Sequence, residues 1–492
     1  MPDIEIVFHP EVKLHNVSRY LYGSFAEHLG RCIYEGIWVG EDSAIENNQG
    51  IRCDTVEVLK RLKIPVLRWP GGCFADNYHW MDGVGPRDKR PTRINIWWNQ
   101  QDTNHFGTEE FMRFCNLIDT EPYICLNMGS GTVEEARSWV EYCNSELDTS
   151  LVQQRRQNGS IEPYDVKFWG VGNENWVCGG NMRHQYYVDL YKRFATYVKR
   201  TGGEDIKLIA CGSHQNIPEW DERFLEAIRD KLLLLDYIAL HIYSGNRSSD
   251  IDFSEQDYYD LITSIDVMDK NIARACELAE AYSTYGHPIG VIMDEWGTWY
   301  KQATVDSGLY QQNTMRDAIF AAVTFHCFHK HGQKLFMTNM AQTINVLQSF
   351  ILTDGPAMVL TPTYYVYEML IPHRDNQLIS ANLLNCPSSK LNDEKEIDAL
   401  SISATTDSEK NELFLSLVNI DLVHQYKIKI KDDKNYKYEI LELRCLKAED
   451  IHDYNSFEEP TKVTPMKINV ENSNTVTIPP HSLTTISMKI QN

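Results

Sequence analysis

Nowhere does the chain offer the roughly twenty consecutive apolar residues that a bilayer-crossing helix needs. Its start, Met1-Pro2-Asp3-Ile4-Glu5-Ile6, has no basic segment followed by an apolar core, so a cytoplasmic location is expected rather than secretion or membrane insertion. Positive charge is scarce. With 47 lysines and arginines against 69 acidic residues, 47 − 69 gives −22, a balance that repels nucleic acid and anionic membrane and suits a neutral substrate such as a sugar. The twelve cysteines include no CxxC pair, which argues against a zinc ribbon and predicts thiols kept reduced. Gly170-Val171-Gly172 lacks the third glycine of a dinucleotide loop, and no Walker loop, nucleophile-elbow serine or HExxH helix occurs. These patterns call for no cofactor and no metal. Internal repeats, low-complexity tracts and long linkers are missing too, so 492 residues read as one large catalytic domain plus a smaller one.

The apolar segments that are present recur at intervals. Eight short runs stand out: Tyr20 to Phe25, Pro65 to Arg68, Tyr123 to Asn127, Lys167 to Val171, Lys207 to Cys211, Tyr237 to His241, Ile289 to Met293 and Lys334 to Thr338. Eight is the strand number of a (β/α)8 TIM barrel. Amphipathic helical stretches lie between several of them. Phe111, Phe114, Cys115 and Ile118, for example, fall at i, i+3, i+4 and i+7 after Thr108-Glu109-Glu110. The pattern changes after about residue 375, where Leu413, Leu415 and Leu417, then Tyr426, Ile428 and Ile430, then Ile486, Met488 and Ile490 alternate along strands. This predicts a C-terminal antiparallel β-sandwich, jelly-roll-like. Ile4, Ile6 and Phe8 alternate as well, so the N-terminal strand is expected to join that sandwich. The expected division is 1–18 for that strand, 19–374 for the barrel and 375–492 for the sandwich.

Two glutamates stand at strand ends in this scheme: Glu174 after strand four and Glu295 after strand seven. Active sites of such barrels lie at the C-terminal ends of the strands, so the two would face each other across the mouth. A lone glutamate there could merely cap a helix or pair with an arginine. Two in matching positions, each beside aromatic residues, suit the acid and the nucleophile of glycoside hydrolysis.

Four segments carry a resemblance: residues 22–31 (YGSFAEHLGR), 68–76 (RWPGGCFAD), 172–175 (GNEN) and 294–297 (DEWG). They resemble the glycoside hydrolase family 51 α-L-arabinofuranosidases, with coverage from the N-terminal strand to Pro479-Pro480-His481-Ser482. The resemblance implies a retaining, exo-acting enzyme that removes terminal arabinofuranosyl groups from arabinoxylan or arabinan oligosaccharides. Glu295 is then the nucleophile, ionised at rest, and Glu174 the acid/base, with its pKa raised by the charge of Glu295. Asn173 would bond the sugar hydroxyl beside the reacting carbon, Tyr243 would orient Glu295, Glu27 would bind furanose hydroxyls, and Arg68 would keep the nucleophile ionised. Cys73, Trp98 and Gln342 would wall the sugar pocket. The resemblance also implies a homo-oligomer, a hexamer in the family.

Other readings of these residues stay open at this level. Arg68 could be the buried partner of a barrel carboxylate, Tyr243 a rim packing residue, and Trp97 rather than Trp98 the one that faces the pocket. Cys73 and Cys178 could be free thiols or a disulfide. His326, His329 and His331 could ligate a metal, but their place at a helix end favours cations that complement the helix dipole. A β-xylosidase or endo-glucanase on the same scaffold, a metal-dependent sugar isomerase and a non-catalytic sugar-binding module are the competing functions.

Overall fold

Eight short strands close into a parallel barrel: β1 (Gly23–Phe25), β2 (Val66–Trp69), β3 (Glu121–Leu126), β4 (Phe168–Val171), β5 (Lys207–Ala210), β6 (Tyr237–Ser244), β7 (Gly290–Thr298) and β8 (Leu335–Ala341). The computed structural model describes residues 4–245, 248–390, 396–432, 437–469 and 475–491. Each expected run holds a barrel strand, but the first starts late. Residues Arg19–Tyr22 wind into a 3-10 turn, whose Tyr20 N–H donates to the Ser18 hydroxyl, and the strand begins at Gly23. Helix Thr108–Ile118 lies between β2 and β3, with Phe111, Phe114, Cys115 and Ile118 all buried. The Gly107 N–H donates to the Glu110 carboxylate at 2.8 Å, which closes its first turn. Among the described residues no helix is long and apolar enough to cross a membrane.

Period two along each strand fills the barrel in layers. Val66, Tyr123, Phe168, Ile209, Ala239, Ile292 and Met337 form an apolar floor. Two positions further along, Arg68 on β2 and Asp294 on β7 bring polar groups onto the same inward face. One irregularity then redirects the chain. In the β6–β7 pairing Leu240 faces Met293 but His241 faces Glu295, so Asp294 is an extra, bulged residue. A regular strand would turn Asp294 and Glu295 to opposite faces, whereas the bulge lets both reach the interior. Glu295 therefore sits inside β7, which runs on to Thr298, and does not terminate it as expected.

Beyond the barrel lies a sheet of nine strands, in which Ile4–Asn16 pairs antiparallel with Gln377–Leu384. Its core combines Ile4, Ile6 and Phe8 with Leu413, Leu415, Leu417, Ile428, Ile430, Ile486 and Met488. Phe8 meets Tyr438, five strands away along the sheet, at 5.2 Å between ring centroids, so the sheet curls over its own core. Among the described residues the expected antiparallel pattern has one exception: Ile4–Asn16 runs parallel to Tyr426–Asp432. Ile4–Asn16 leads on into the barrel and not through a hairpin to either neighbour, so it can fill a slot between two strands of opposed sense.

Helix Met315–His331 joins barrel to sheet. His326 Nδ1 and Nε2 lie 2.7 and 2.9 Å from the hydroxyls of Ser401 and Ser416. His329 Nδ1 and Nε2 lie 2.7 Å from those of Ser403 and Tyr22. These histidines are not the dipole-complementing cations expected from their position. Burial holds His326 down to about 3 and His329 well below the usual histidine range, so both are neutral at pH 7. His373, beside Thr405, is likewise pushed down to about 3. An unfolded histidine takes its proton near pH 6.5, so between about pH 6.5 and 3 the unfolded chain binds more protons and stability falls as pH falls. Each group contributes a slope of about 1.4 kcal/mol per pH unit within that window. Buried Glu27, Asp76 and Asp221, each pushed up to about 7, bind protons in the folded chain and offset this loss. It is therefore read as a difference: in thermal unfolding followed from pH 7 to pH 5, His326→Gln is expected to lose stability less steeply than the parent, by about 1.4 kcal/mol per pH unit.

Candidate active site

The barrel mouth gathers its functional side chains from β1, β2, β4, β6, β7 and the segment after β8. Arg68, fully buried on β2, donates from Nη1 to Glu295 Oε1 at 2.8 Å and from Nη2 to Asn173 Oδ1 at 2.6 Å, while its Nε lies 3.3 Å from Asp294. The Tyr243 hydroxyl donates to the other Glu295 oxygen at 2.7 Å. Burial opposes the charge on Glu295, yet His241, Arg68 and Tyr243 outweigh it and hold the carboxyl below the usual range. Glu295 is thus ionised at neutral pH. Arg68 is thus a buried partner of two carboxylates at once, Asp294 and Glu295.

Glu174 enters from a tight loop after β4. Gly172 (φ 88) and Glu174 (φ 42) both take the left-handed region, and a Cβ on residue 172 would collide with the Asn175 amide at 2.2 Å. Asp76 anchors the loop. Its carboxylate accepts the backbone N–H groups of Asn173, Met128 and Gly129 at 2.8, 2.6 and 2.8 Å, tying the ends of β3 and β4 to the segment after β2. Burial pushes Asp76 up to about 7 although those N–H groups pull the other way. His241 Nδ1 lies 2.9 Å from Glu174 Oε1 and 3.5 Å from Glu295 Oε2. Burial disfavours the charged imidazole, but the two carboxylates outweigh burial and raise its pKa. The Glu174 side chain is 17% exposed against 6% for Glu295, so Glu174 stands on the solvent side of the pair.

Glu27 lies deeper. Its carboxylate accepts hydrogen bonds from the Phe74 N–H, the Trp98 indole and the Gln342 amide at 2.9, 3.0 and 3.1 Å. Burial pushes it up to about 7 despite these donors, and the charge on Glu295 adds to the rise. The structure therefore selects Trp98 over Trp97 as the residue facing Glu27. Gly71 and Gly72 make room here, since a Cβ on Gly72 would sit 2.7 Å from Glu27 Oε2. Gly72→Ala is expected to displace that carboxylate and lower kcat/KM roughly 10- to 100-fold with the melting temperature little changed, measured by steady-state kinetics alongside thermal unfolding.

Cys73 and Cys178 are joined as a disulfide that ties the segments after β2 and β4, with Cys178 Sγ 3.5 Å from Glu174 Oε2. Uniform reduction, expected from cysteine spacing, does not hold for this pair, because the barrel brings the two together across 105 positions. Glu174, His241 and Glu295 each bring one atom within 4.8 Å of the others, a donor set that could ligate a metal. However, Arg68 and Tyr243 already bond both Glu295 oxygens, and a guanidinium 2.8 Å away repels a cation. The geometry suits a moving proton better than an ion.

Comparison with known proteins places this arrangement. The α-L-arabinofuranosidase 1 domain matches residues 58–262, and the α-L-arabinofuranosidase C-terminal domain matches residues 294–482. An intracellular exo-α-L-arabinofuranosidase of Bacteroides ovatus is 39% identical over 495 residues, 98% of this chain and 95% of that one. The crystal structure of the GH51 arabinofuranosidase from Xanthomonas axonopodis pv. citri matches with a TM-score of 0.92 at 36% identity, covering 99% of this chain and 100% of that one. The chain belongs to the glycoside hydrolase family 51 α-L-arabinofuranosidases. The arabinose complex of the Thermotoga maritima α-L-arabinofuranosidase matches this family member with a TM-score of 0.87 at 32% identity, covering 99% of each chain.

In this arabinofuranosidase the mouth unites all nine residues singled out from the sequence. It adds five that sequence reading missed: His241, Asp76, Asp294, Tyr123 and Asn339. Tyr123 and Asn339 donate to the Asp294 carboxylate, each at 2.9 Å. His241 lies two residues before Tyr243 on β6 and shares its inward face, a period-two signal that was available. Asp76 closes the RWPGGCFAD block, but nothing local says that it reaches β3 and β4.

Proposed function

We propose that this glycoside hydrolase is a retaining, exo-acting α-L-arabinofuranosidase working by double displacement on arabinoxylan or arabinan oligosaccharides. The observation that carries the reading is the approach of one Glu174 oxygen and one Glu295 oxygen to within 4.8 Å. Retaining pairs stand about 5 Å apart, whereas inverting pairs leave room for a water between them. Glu295 attacks the anomeric carbon and Glu174 gives its proton to the leaving oxygen. The glycosyl ester removes the charge on Glu295, and Glu174 then takes a proton from the attacking water. Glu27, Asn173, Gln342, Trp98 and the Cys73–Cys178 pair form the furanose pocket in this reading. The buried Glu27, held from three sides, supports a blind pocket for a terminal sugar, and the Bacteroides ovatus relative is an exo enzyme by name.

The same relative, described as intracellular, supports a cytoplasmic setting and short imported oligosaccharides as substrates. The insertion of Ile4–Asn16 into the C-terminal sheet supports counting residues 1–18 with 375–492 and the rest as the barrel. A homo-oligomer is carried over from the family, and sedimentation against the 56.9 kDa chain mass tests it. Aglycone preference falls to the loops after β6 and β7, and of the first of these residues 246–247 lie outside the described residues. The deciding experiment compares kcat/KM on aryl α-L-arabinofuranoside, β-D-xyloside and β-D-glucoside, and follows the anomer of the first product by NMR. Preference for the xyloside or glucoside would overturn the sugar assignment, and an inverted first product would overturn the mechanism.

A further inference from the structure

Away from the mouth, two helices bring three metal-ligating side chains together. Cys327 and His331 are four residues apart on Met315–His331, hence on one face, and Asp269 meets them from Ile265–Tyr282. Cys327 Sγ lies 3.6 Å and His331 Nε2 2.6 Å from the same oxygen, Asp269 Oδ1, and the three ligand atoms all lie within 4.8 Å of one another. His326 and His329, on the same helix, spend both ring nitrogens on hydroxyls, whereas His331 turns to this cluster. The cluster lies in the outer helical layer: Ile265–Tyr282 starts beside Ser244 at the end of β6, and Met315–His331 ends just before β8 begins.

We propose that Asp269, Cys327 and His331 form a binding site for one divalent ion of borderline softness, Zn2+ being the chemical type. Thiolate, imidazole and carboxylate are the ligand types such an ion takes, with water in the fourth position. The spacing fits. Bond lengths of about 2.3 Å to sulfur and about 2.1 Å to oxygen and nitrogen require tetrahedral edges of about 3.6 Å for S···O and about 3.4 Å for N···O. The first edge is present, and the second opens from a hydrogen bond by less than 1 Å. Lys330 now holds the place of the cation, with Nζ 3.0 Å from both Asp269 oxygens, but its side chain is 66% exposed and swings readily into water. The ion bonds the Cys327 sulfur as its proton leaves to solvent, and the thiolate and Asp269 balance the two positive charges. Asp266, one turn before Asp269, adds negative charge close enough to act on Cys327. The ion clips the two helices together, a structural role separate from glycoside hydrolysis.

Titration of the chelator-treated full chain with Co2+ tests this. One equivalent is expected to produce a thiolate-to-cobalt charge-transfer band that Zn2+ abolishes by displacement, and Zn2+ is expected to raise the melting temperature. Cys327→Ala and His331→Ala should each lose the band and the thermal shift, with turnover of an aryl arabinofuranoside unchanged. Cys276→Ala, which removes a free thiol elsewhere on Ile265–Tyr282, should keep both. Should Cys327→Ala fail to fold, the partly exposed His331 gives the same reading. No band in the parent chain, or a band that survives Cys327→Ala or His331→Ala, overturns the site.

Discussion

Glu295→Ala is expected to lower kcat/KM by at least about 10,000-fold on every substrate, aryl or natural. The substitution removes the atom that forms the glycosyl ester, and nothing nearby replaces it. Asp294 is adjacent, but its oxygens accept from Tyr123 and Asn339 and face Arg68. The change also leaves the buried Arg68 guanidinium with one carboxylate instead of two, so some loss of stability accompanies the loss of rate. Thermal unfolding of the variant separates the two effects. An added small anion such as azide should enter the vacated space and give the glycosyl azide of inverted configuration. Activity within about tenfold of the parent would remove Glu295 from the nucleophile's role.

Glu174→Ala is expected to behave differently, because what it loses depends on the leaving group. A poor leaving group, such as the sugar of a natural oligosaccharide, needs the proton, and its kcat/KM should fall by about 100- to 10,000-fold. A good aryl leaving group departs without it, so kcat/KM should stay near that of the parent. The second step still lacks its base, so the ester accumulates and kcat and KM fall together. Two observations stand behind this split: Glu174 is the more exposed of the pair, and His241 rather than Arg68 holds it. Equal losses on both classes of leaving group would contradict the assignment.

The Cys73–Cys178 pair adjoins this acid, with one sulfur 3.5 Å from Glu174, so reduction is expected to change its surroundings. Kinetics of all variants therefore belong at one fixed thiol condition.

How much of this was legible depended on how local the cause was. The strands could be read because alternation and run length are properties of a few adjacent residues, as at Leu413, Leu415 and Leu417. β1 starts later than its apolar run because Tyr20, Leu21 and Tyr22 are apolar but curl into a 3-10 turn. Helix-end position suggested charged histidines, while packing against Ser401, Ser403 and Ser416 decided neutral ones, since burial disfavours the cation. The disulfide and the choice of Trp98 over Trp97 were open for the same reason.

Local pattern by itself determined the eight-strand barrel, the change to sheet after it, and the placing of Glu174 and Glu295 with the fourth and seventh apolar runs. Only the closed barrel decided what surrounds them. Arg68 lies 227 positions from Glu295, His241 67 from Glu174 and Gln342 315 from Glu27, and each reaches its partner within 3.1 Å. The bulge at Asp294 likewise arises from pairing between β6 and β7, which no single strand records. Side-chain alternation is a property of the strand itself, whereas the charge state and aim of a buried carboxylate are set by whichever distant groups closure brings beside it.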